Sequence, residues 1–175
     1  MKTFSLSTDN FKDRLHEISC GDEILLSGTV YTARDAAHKK LLTLIQSGEK
    51  TPFEIKDAFI YYAGPTPERD GAVCGSFGPT TSSRMDAYSP LLLDMGLICM
   101  IGKGPRNKDV TEAIIRNGAI YLCALGGAGA LAAKCITSLE VIAFPELGCE
   151  SVKKLTFENF PLICGIDSFG NSLFK

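Results

Sequence analysis

Four apolar runs in this chain end in a loop that hands over to a helix-like segment, and that alternation restricts the fold more than any other feature. "EILLSGTVYTA" leads directly into "RDAAHKKLLTLIQSG", "LICMIG" into "NKDVTEAIIRNG", and "AIYLCAL" into "GGAGALAAKCI". "FEIKDAFIYYAG" reaches "GSFGPTTSSRMD" through a long turn-rich loop. Strand-like runs alternating with helix-like ones are the pattern of an α/β domain. In the segment after the first run, Ala37, Leu41, Leu44 and Ile45 fall on one helical face, and Gly48 supplies a stop. "STDNFKDRLHEIS" reads as a short capped helix. "GSFGPTTSSRMD" reads as a helix starting at Thr80 or Thr81 and running to about Ser89, where Pro90 interrupts it. Beyond "LEVIAF", the remainder "SVKKLTFENFPLICGIDSFGNSLF" reads as two more strands. At 175 residues the chain fits one domain, residues 1–175, able to bury a core without disulfide staples.

In open α/β sheets ligands sit at the carboxyl ends of strands, where helix N-termini offer unpaired N–H groups to anions. Four stretches qualify: residues 32–35, 78–84, 102–107 and 126–130. A formal net charge of −2 with scattered basic residues gives no footprint for nucleic acid or an anionic membrane, so any cationic site is local. The opening "MKTFSLSTDNFKDRLHE" has no continuous apolar run, so no signal peptide is expected. Seven cysteines are spread singly with no CxxC, several inside apolar runs such as "LICMIG" and "PLICGI". They read as reduced, mostly buried thiols of a cytoplasmic protein.

At the first junction Asp35 complements the positive end of a helix dipole, whereas Arg34 lies on its unfavourable side, which points to an anionic partner. His38 lies one turn beyond Arg34 and reads as a supporting residue. At the second, Thr80 and Arg84 are four apart and share a face if the segment is helical from Thr80; the plainer reading makes Thr80 or Thr81 an N-cap. The pattern G-x-x-x-x-G-K-[ST] is absent, which removes a P-loop. At the third, "IGKGP" sets Lys103 between glycines at a strand end, where it reads equally as a ligand cation or an exposed turn lysine.

A rival reading rests on "YLCALGGAGALAA". Gly127, Gly129 and Ala132 match G-x-G-x-x-[GA] after a strand, with Glu146 near the position of a ribose-binding acid. That would make the chain a dinucleotide-binding module. A non-catalytic interaction domain is a further alternative.

Taken together, "SGTVYTARDAAHKKL", "YYAGPTP", "GSFGPTTSSRMD", "MIGKG", "YLCALGGAGALAAKCI", "PELG" and "FPLICGIDSFGN" resemble the β subunit, or carboxyl-terminal half, of iron-sulfur class I fumarases and L-tartrate dehydratases. The resemblance runs from about Gly21 to the end. It implies a swivelling β/β/α domain and a hydro-lyase acting on a C4 dicarboxylate: fumarate/L-malate, L-tartrate or a methylated analogue. It implies a [4Fe-4S] cluster held by cysteines of a partner α subunit, with no metal ligand on this chain, in a heterotetramer or, for the chain alone, a homodimer. It assigns Thr80 to catalysis, Arg34, Arg84 and Lys103 to the substrate carboxylates, and Asp35, His38 and Thr81 to support. A carboxylate from the α half is the expected acid/base counterpart of Thr80. Arginine forks stabilise the charge that builds on a carboxylate when the adjacent carbon loses a proton, and nearby cations favour a threonine alkoxide.

Overall fold

The computed structural model describes residues 1–68, 71–125 and 129–174. Seven strands, β1 (Thr3–Ser7), β2 (Glu23–Thr32), β3 (Phe59–Tyr61), β4 (Cys99–Gly102), β5 (Ile120–Cys123), β6 (Ile136–Ala143) and β7 (Val152–Ile166), form one sheet. The helices are α1 (Phe11–Arg14), α2 (Asp35–Gln46), α3 (Ser89–Asp94), α4 (Lys108–Asn117) and α5 (Gly129–Lys134), with 3-10 turns at Leu15–Glu17, Ser82–Met85 and Pro145–Glu150. None of the described helices is long and apolar enough to cross a membrane.

Strands β1 to β5 pair in parallel, in sequence order. The sheet is not open, because β7 runs antiparallel to both β2 and β5 and closes β2, β3, β4, β5 and β7 into a five-membered ring. Strand β1 extends the sheet from β2, and β6 pairs antiparallel with β7. The carboxyl-terminal region is thus one 15-residue strand where two were expected. Its length lets one edge pair with β2 while the other serves β6 up to Phe157 and β5 from Ile163. Pro161 falls between those two partners, where no ladder on that edge requires its missing N–H. A bulge accompanies the bend: β2 slips register between Leu26 and Gly28, and Asn159 takes a left-handed φ of 49°.

Alternate side chains of the central strands enter two cores. Phe59, Tyr61, Cys99, Ile101, Ile120 and Leu122 join Ile24, Leu26, Leu155 and Phe157 in one. Ile60, Tyr62, Met100 and Tyr121 meet residues of α2, α3 and α4, including Leu41, Leu93 and Ile114, in the other. Burial on both faces explains why these strands read as unbroken apolar runs. Helix α2 buries Ala37 and Leu41 as its periodicity predicts, while Leu44 and Ile45 are only half-buried. Helix α4 is capped at both ends: Asn107 accepts from Val110 N, and Gly118 ends the helix in the left-handed region at φ 60°.

The dinucleotide reading fails on topology. A βαβ unit would set β6 parallel and adjacent to β5, but β5 lies between β4 and β7, and among the described residues β6 pairs only with β7, antiparallel. Glu146 is engaged by Lys40. Gly126, Gly127 and Ala128 lie outside the described residues. All seven cysteines are free: Cys74, Cys99 and Cys164 are buried, Cys20, Cys123 and Cys135 half-buried, and Cys149 exposed. Burial pushes the Cys99 and Cys164 thiols up, which keeps them protonated.

Candidate active site

The carboxyl ends of β2, β3 and β4 lie side by side, and each is followed by residues singled out in the sequence. After β2 the chain passes Ala33 to Arg34, which is extended (φ −113°, ψ −163°) and immediately precedes α2. After β4 it reaches Lys103. Between them the 79–82 stretch is laced between the continuations of β3 and β4. Pro79 bridges Ala63, Thr80 N donates to Tyr62 O (2.7 Å), Thr81 bridges Lys103, and Ser82 N donates to Lys103 O (2.9 Å).

This lacing corrects the helix expected from Thr80. Backbone groups that would start a helix are committed to the neighbouring strands, so the chain forms only the 3-10 turn Ser82–Met85. Thr81 precedes that turn with ψ 119° and its side chain makes no capping bond. Thr80 and Arg84 therefore do not share a helical face. Pro90 starts a helix instead of interrupting one: it occupies the first turn of α3, where its missing N–H costs nothing. Thr80 is half-buried and Thr81 exposed.

The structure joins Arg84 to α2, since its Nε donates to Asp35 Oδ1 at 2.8 Å. Arg34 places Nη2 3.3 Å from Glu150 Oε1, and Glu150 Oε2 accepts from Ala36 N at 3.3 Å. His38 is buried, its Nδ1 2.8 Å from Arg34 O and its ring against Tyr62 and Tyr88. Burial, the dominant effect, holds the imidazole pKa down to about 4, so the ring is neutral at pH 7 and Nδ1–H donates to Arg34 O. Lys103 is half-buried, with its backbone N donating to Ser82 Oγ at 3.0 Å.

Three buried side-chain atoms find no hydrogen-bond partner among the described residues: Arg34 Nε, Asp35 Oδ2 and His38 Nε2. All belong to the first turn of α2 or the residue before it. Buried polar atoms are nearly always paired, so three without a protein partner within five residues, next to the Arg84–Asp35 bond, set this stretch apart from the rest of the chain's described surface. No three of His, Cys, Asp and Glu among the described residues are placed to hold a metal ion. A [4Fe-4S] cluster, which needs several such ligands together, therefore does not fit this chain's described side chains.

Two elements of this region escape a linear reading. Glu150 reaches Arg34 from more than a hundred residues away, and only the fragment "PELG" lies near it in the sequence. Arg106, buried beneath the site, donates from Nε to Asp86 Oδ1 (2.6 Å) and from Nη2 to Ser89 Oγ (2.6 Å). Its guanidinium sits 5.3 Å from the Tyr62 ring and 5.1 Å from that of Tyr121. Asp86 Oδ2 also accepts from Asn107 N (2.8 Å), tying the turn after Arg84 to the start of α4. The sequence offers no local signal for the pair, whose members are 20 residues apart.

A family model described as Fumarase C-terminus matches residues 1–175. Fumarate hydratase 2 of Leishmania major is 40% identical over 169 residues, 95% of this chain and 30% of that protein. The anaerobic class I fumarate hydratase of Escherichia coli K12 is 42% identical over 164 residues, 93% of this chain and 30% of that one. The chain thus spans about three-tenths of the length of these relatives. A putative L(+)-tartrate dehydratase subunit beta of Methanocaldococcus jannaschii is 38% identical over 170 residues, 94% of this chain and 87% of that subunit.

Proposed function

Because the chain belongs to the Fumarase C-terminus family, we propose that it is the β subunit of a hydro-lyase that adds water to, or removes it from, a C4 dicarboxylate. In this reading it works in the cytoplasm with an α subunit that carries the [4Fe-4S] cluster, in a heterotetramer. The ring with helices packed outside it serves as the swivelling β/β/α domain. The observation that carries the proposal is the set of unpaired buried atoms on Arg34, Asp35 and His38, next to Arg84 and on the same sheet edge as Thr80 and Lys103.

Each residue has a role its geometry supports. Arg34 retains a buried Nε without a partner among the described residues, a donor suited to a substrate carboxylate. Arg84, half-exposed and oriented by Asp35, supplies a second fork. Thr80 is anchored through its backbone to Tyr62, and its half-buried hydroxyl carries the proton at the carbon beside a carboxylate. Lys103, one strand over, adds positive charge that favours the alkoxide. Thr81 supports the turn through its bridge to Lys103.

Anaerobic co-expression with a candidate α subunit, followed by a panel of fumarate, L-malate, L-tartrate and mesaconate, tests the proposal. Hydration or dehydration of at least one is expected from the complex and from neither chain alone. A folded, cluster-loaded complex inert toward all four overturns it.

A further inference from the structure

Lys153, the second residue of β7, is buried at 4% exposure, and no carboxylate lies within ion-pairing distance among the described residues. Its Nζ instead faces four oxygens of the preceding segment: Gly148 O (3.3 Å), Cys149 O (3.0 Å), Ser151 O (3.1 Å) and Ser151 Oγ (2.8 Å). An ammonium has three protons, and here all are aimed at one bend of the chain. The same bend is tied to β2, since Thr32 Oγ1 donates to Ser151 O (3.3 Å) and accepts from Lys153 N (3.0 Å).

The clamped segment contains Glu150, whose two carboxylate oxygens face Arg34 Nη2 and Ala36 N. A Cβ at Gly64 would lie 2.5 Å from Cys149 O and 3.5 Å from Arg34 Cδ, so glycine there lets the clamped turn approach the chain after β3 beside the arginine stem. Arg34 and Glu150 are about equally shielded, 21% and 22% exposed. The contact takes one nitrogen of the guanidinium and leaves Nε buried and free of partners among the described residues.

We propose that Lys153 and Glu150 are positioning residues for Arg34: the buried ammonium fixes the turn, and the turn holds a carboxylate against Nη2 and the first turn of α2, so that Nε stays aimed at an incoming carboxylate. This rests on Arg34 being the substrate cation proposed above. Burial lowers the Lys153 pKa from its ordinary value, in keeping with an ammonium solvated only by carbonyl and hydroxyl dipoles. Replacing it with an apolar side chain leaves Cys149 O without its donor, whereas Gly148 O keeps Ser151 N and Ser151 O keeps Thr32 Oγ1.

The relay is tested in two ways. In the chain alone, the 15N–1H resonance of Arg34 Nε, assigned by its loss in Arg34→Lys, is expected to exchange slowly with solvent, and roughly tenfold faster in Glu150→Ala and in Lys153→Met. In the complex with the α subunit, both variants lower kcat/KM roughly tenfold, chiefly through KM, and the double variant lowers it no further. Wild-type exchange in folded Glu150→Ala overturns the proposal, as does a double variant whose loss is the product of the two single losses. Should Lys153→Met not fold, Glu150→Gln decides, because it keeps an acceptor for Nη2: slow exchange supports the relay, and exchange as fast as in Glu150→Ala overturns it. A wild-type complex without dicarboxylate turnover removes the proposed activity, while the exchange rates still decide the relay.

Discussion

Arg84 Nε donates to Asp35 Oδ1 across 2.8 Å, joining the turn after β3 to the first residue of α2. The bond orients a side chain that is otherwise half-exposed, and the terminal nitrogens of the fork make no hydrogen bond among the described residues, as the proposed carboxylate-binding role requires. Arg84→Ala in the assembled complex is expected to lower kcat/KM by about 10–100-fold, the worth of a hydrogen bond to a charged group. Asp35→Ala should give a smaller loss in the same direction. Steady-state kinetics on both variants checks the order, and an unchanged kcat/KM in Arg84→Ala removes that residue from the site.

Thr80 and Thr81 are adjacent but differently placed, and substitution separates them. Thr80 is half-buried between the continuations of β3 and β4, whereas Thr81 contributes through its backbone and exposes its side chain. Thr80→Ala is expected to lower kcat by about 10²–10⁴-fold, the usual worth of a positioned proton carrier, with Thr80→Ser retaining most activity. Thr81→Ala should remain close to wild type. Near-normal turnover by Thr80→Ala sinks the assignment.

What the sequence made legible was local. The Ala37–Leu41 side of α2 and the junctions from β2 into α2 and from β4 into α4 are set by neighbours within a few residues, and each appears where the residues predict. Ring closure was not legible, because a 15-residue strand that changes partners along one edge looks the same in sequence as two strands. The turn at Ser82–Met85 was misread for a related reason: hydroxyl residues that favour helix starts are here held by Tyr62 and Lys103, contacts made across the sheet. Glu150 and the Arg106–Asp86 pair were missed because their meaning lies wholly in distant partners.

Arg106 and Asp86 form a buried ion pair whose removal should be costly. Arg106→Ala removes the guanidinium partner of Asp86, a buried residue, and also strips Ser89 and the two tyrosine rings of contacts. A loss of about 3–5 kcal/mol is expected in urea unfolding of the chain. The double variant Arg106→Met/Asp86→Leu should recover a large part of it, since removing both charges removes the uncompensated one.

Gly102 ends β4 directly above Ser82. A Cβ there would overlap Ser82 Oγ and lie 2.9 Å from Tyr62 Cδ2. Ser82 Oγ accepts from Lys103 N and lies 2.9 Å from Tyr121 OH, so the added methyl must displace the joint that seats both Lys103 and the turn bearing Arg84. Gly102→Ala is expected to cost about 1–3 kcal/mol of stability, as overpacking does. It should also lower turnover of the complex, measured at a temperature where the variant remains folded.

His38 gives the chain an acid sensitivity with a defined sign. Burial holds its folded-state pKa at about 4, against an ordinary 6.5, so between those values the unfolded chain binds a proton that the folded chain refuses. Stability is therefore full above about pH 6.5 and falls as pH drops toward 4. By pH 5 the loss from this group amounts to about 2 kcal/mol, in a range where carboxylates with ordinary pKa values remain largely ionised. His38→Gln can still donate to Arg34 O but has nothing to titrate. It should be less stable than wild type at pH 7, because it packs less well between Tyr62 and Tyr88, yet lose about 2 kcal/mol less on going to pH 5. Urea unfolding of both chains at pH 7 and pH 5 measures the difference, and parallel losses would show that the imidazole titrates in the folded chain as it does in the unfolded one.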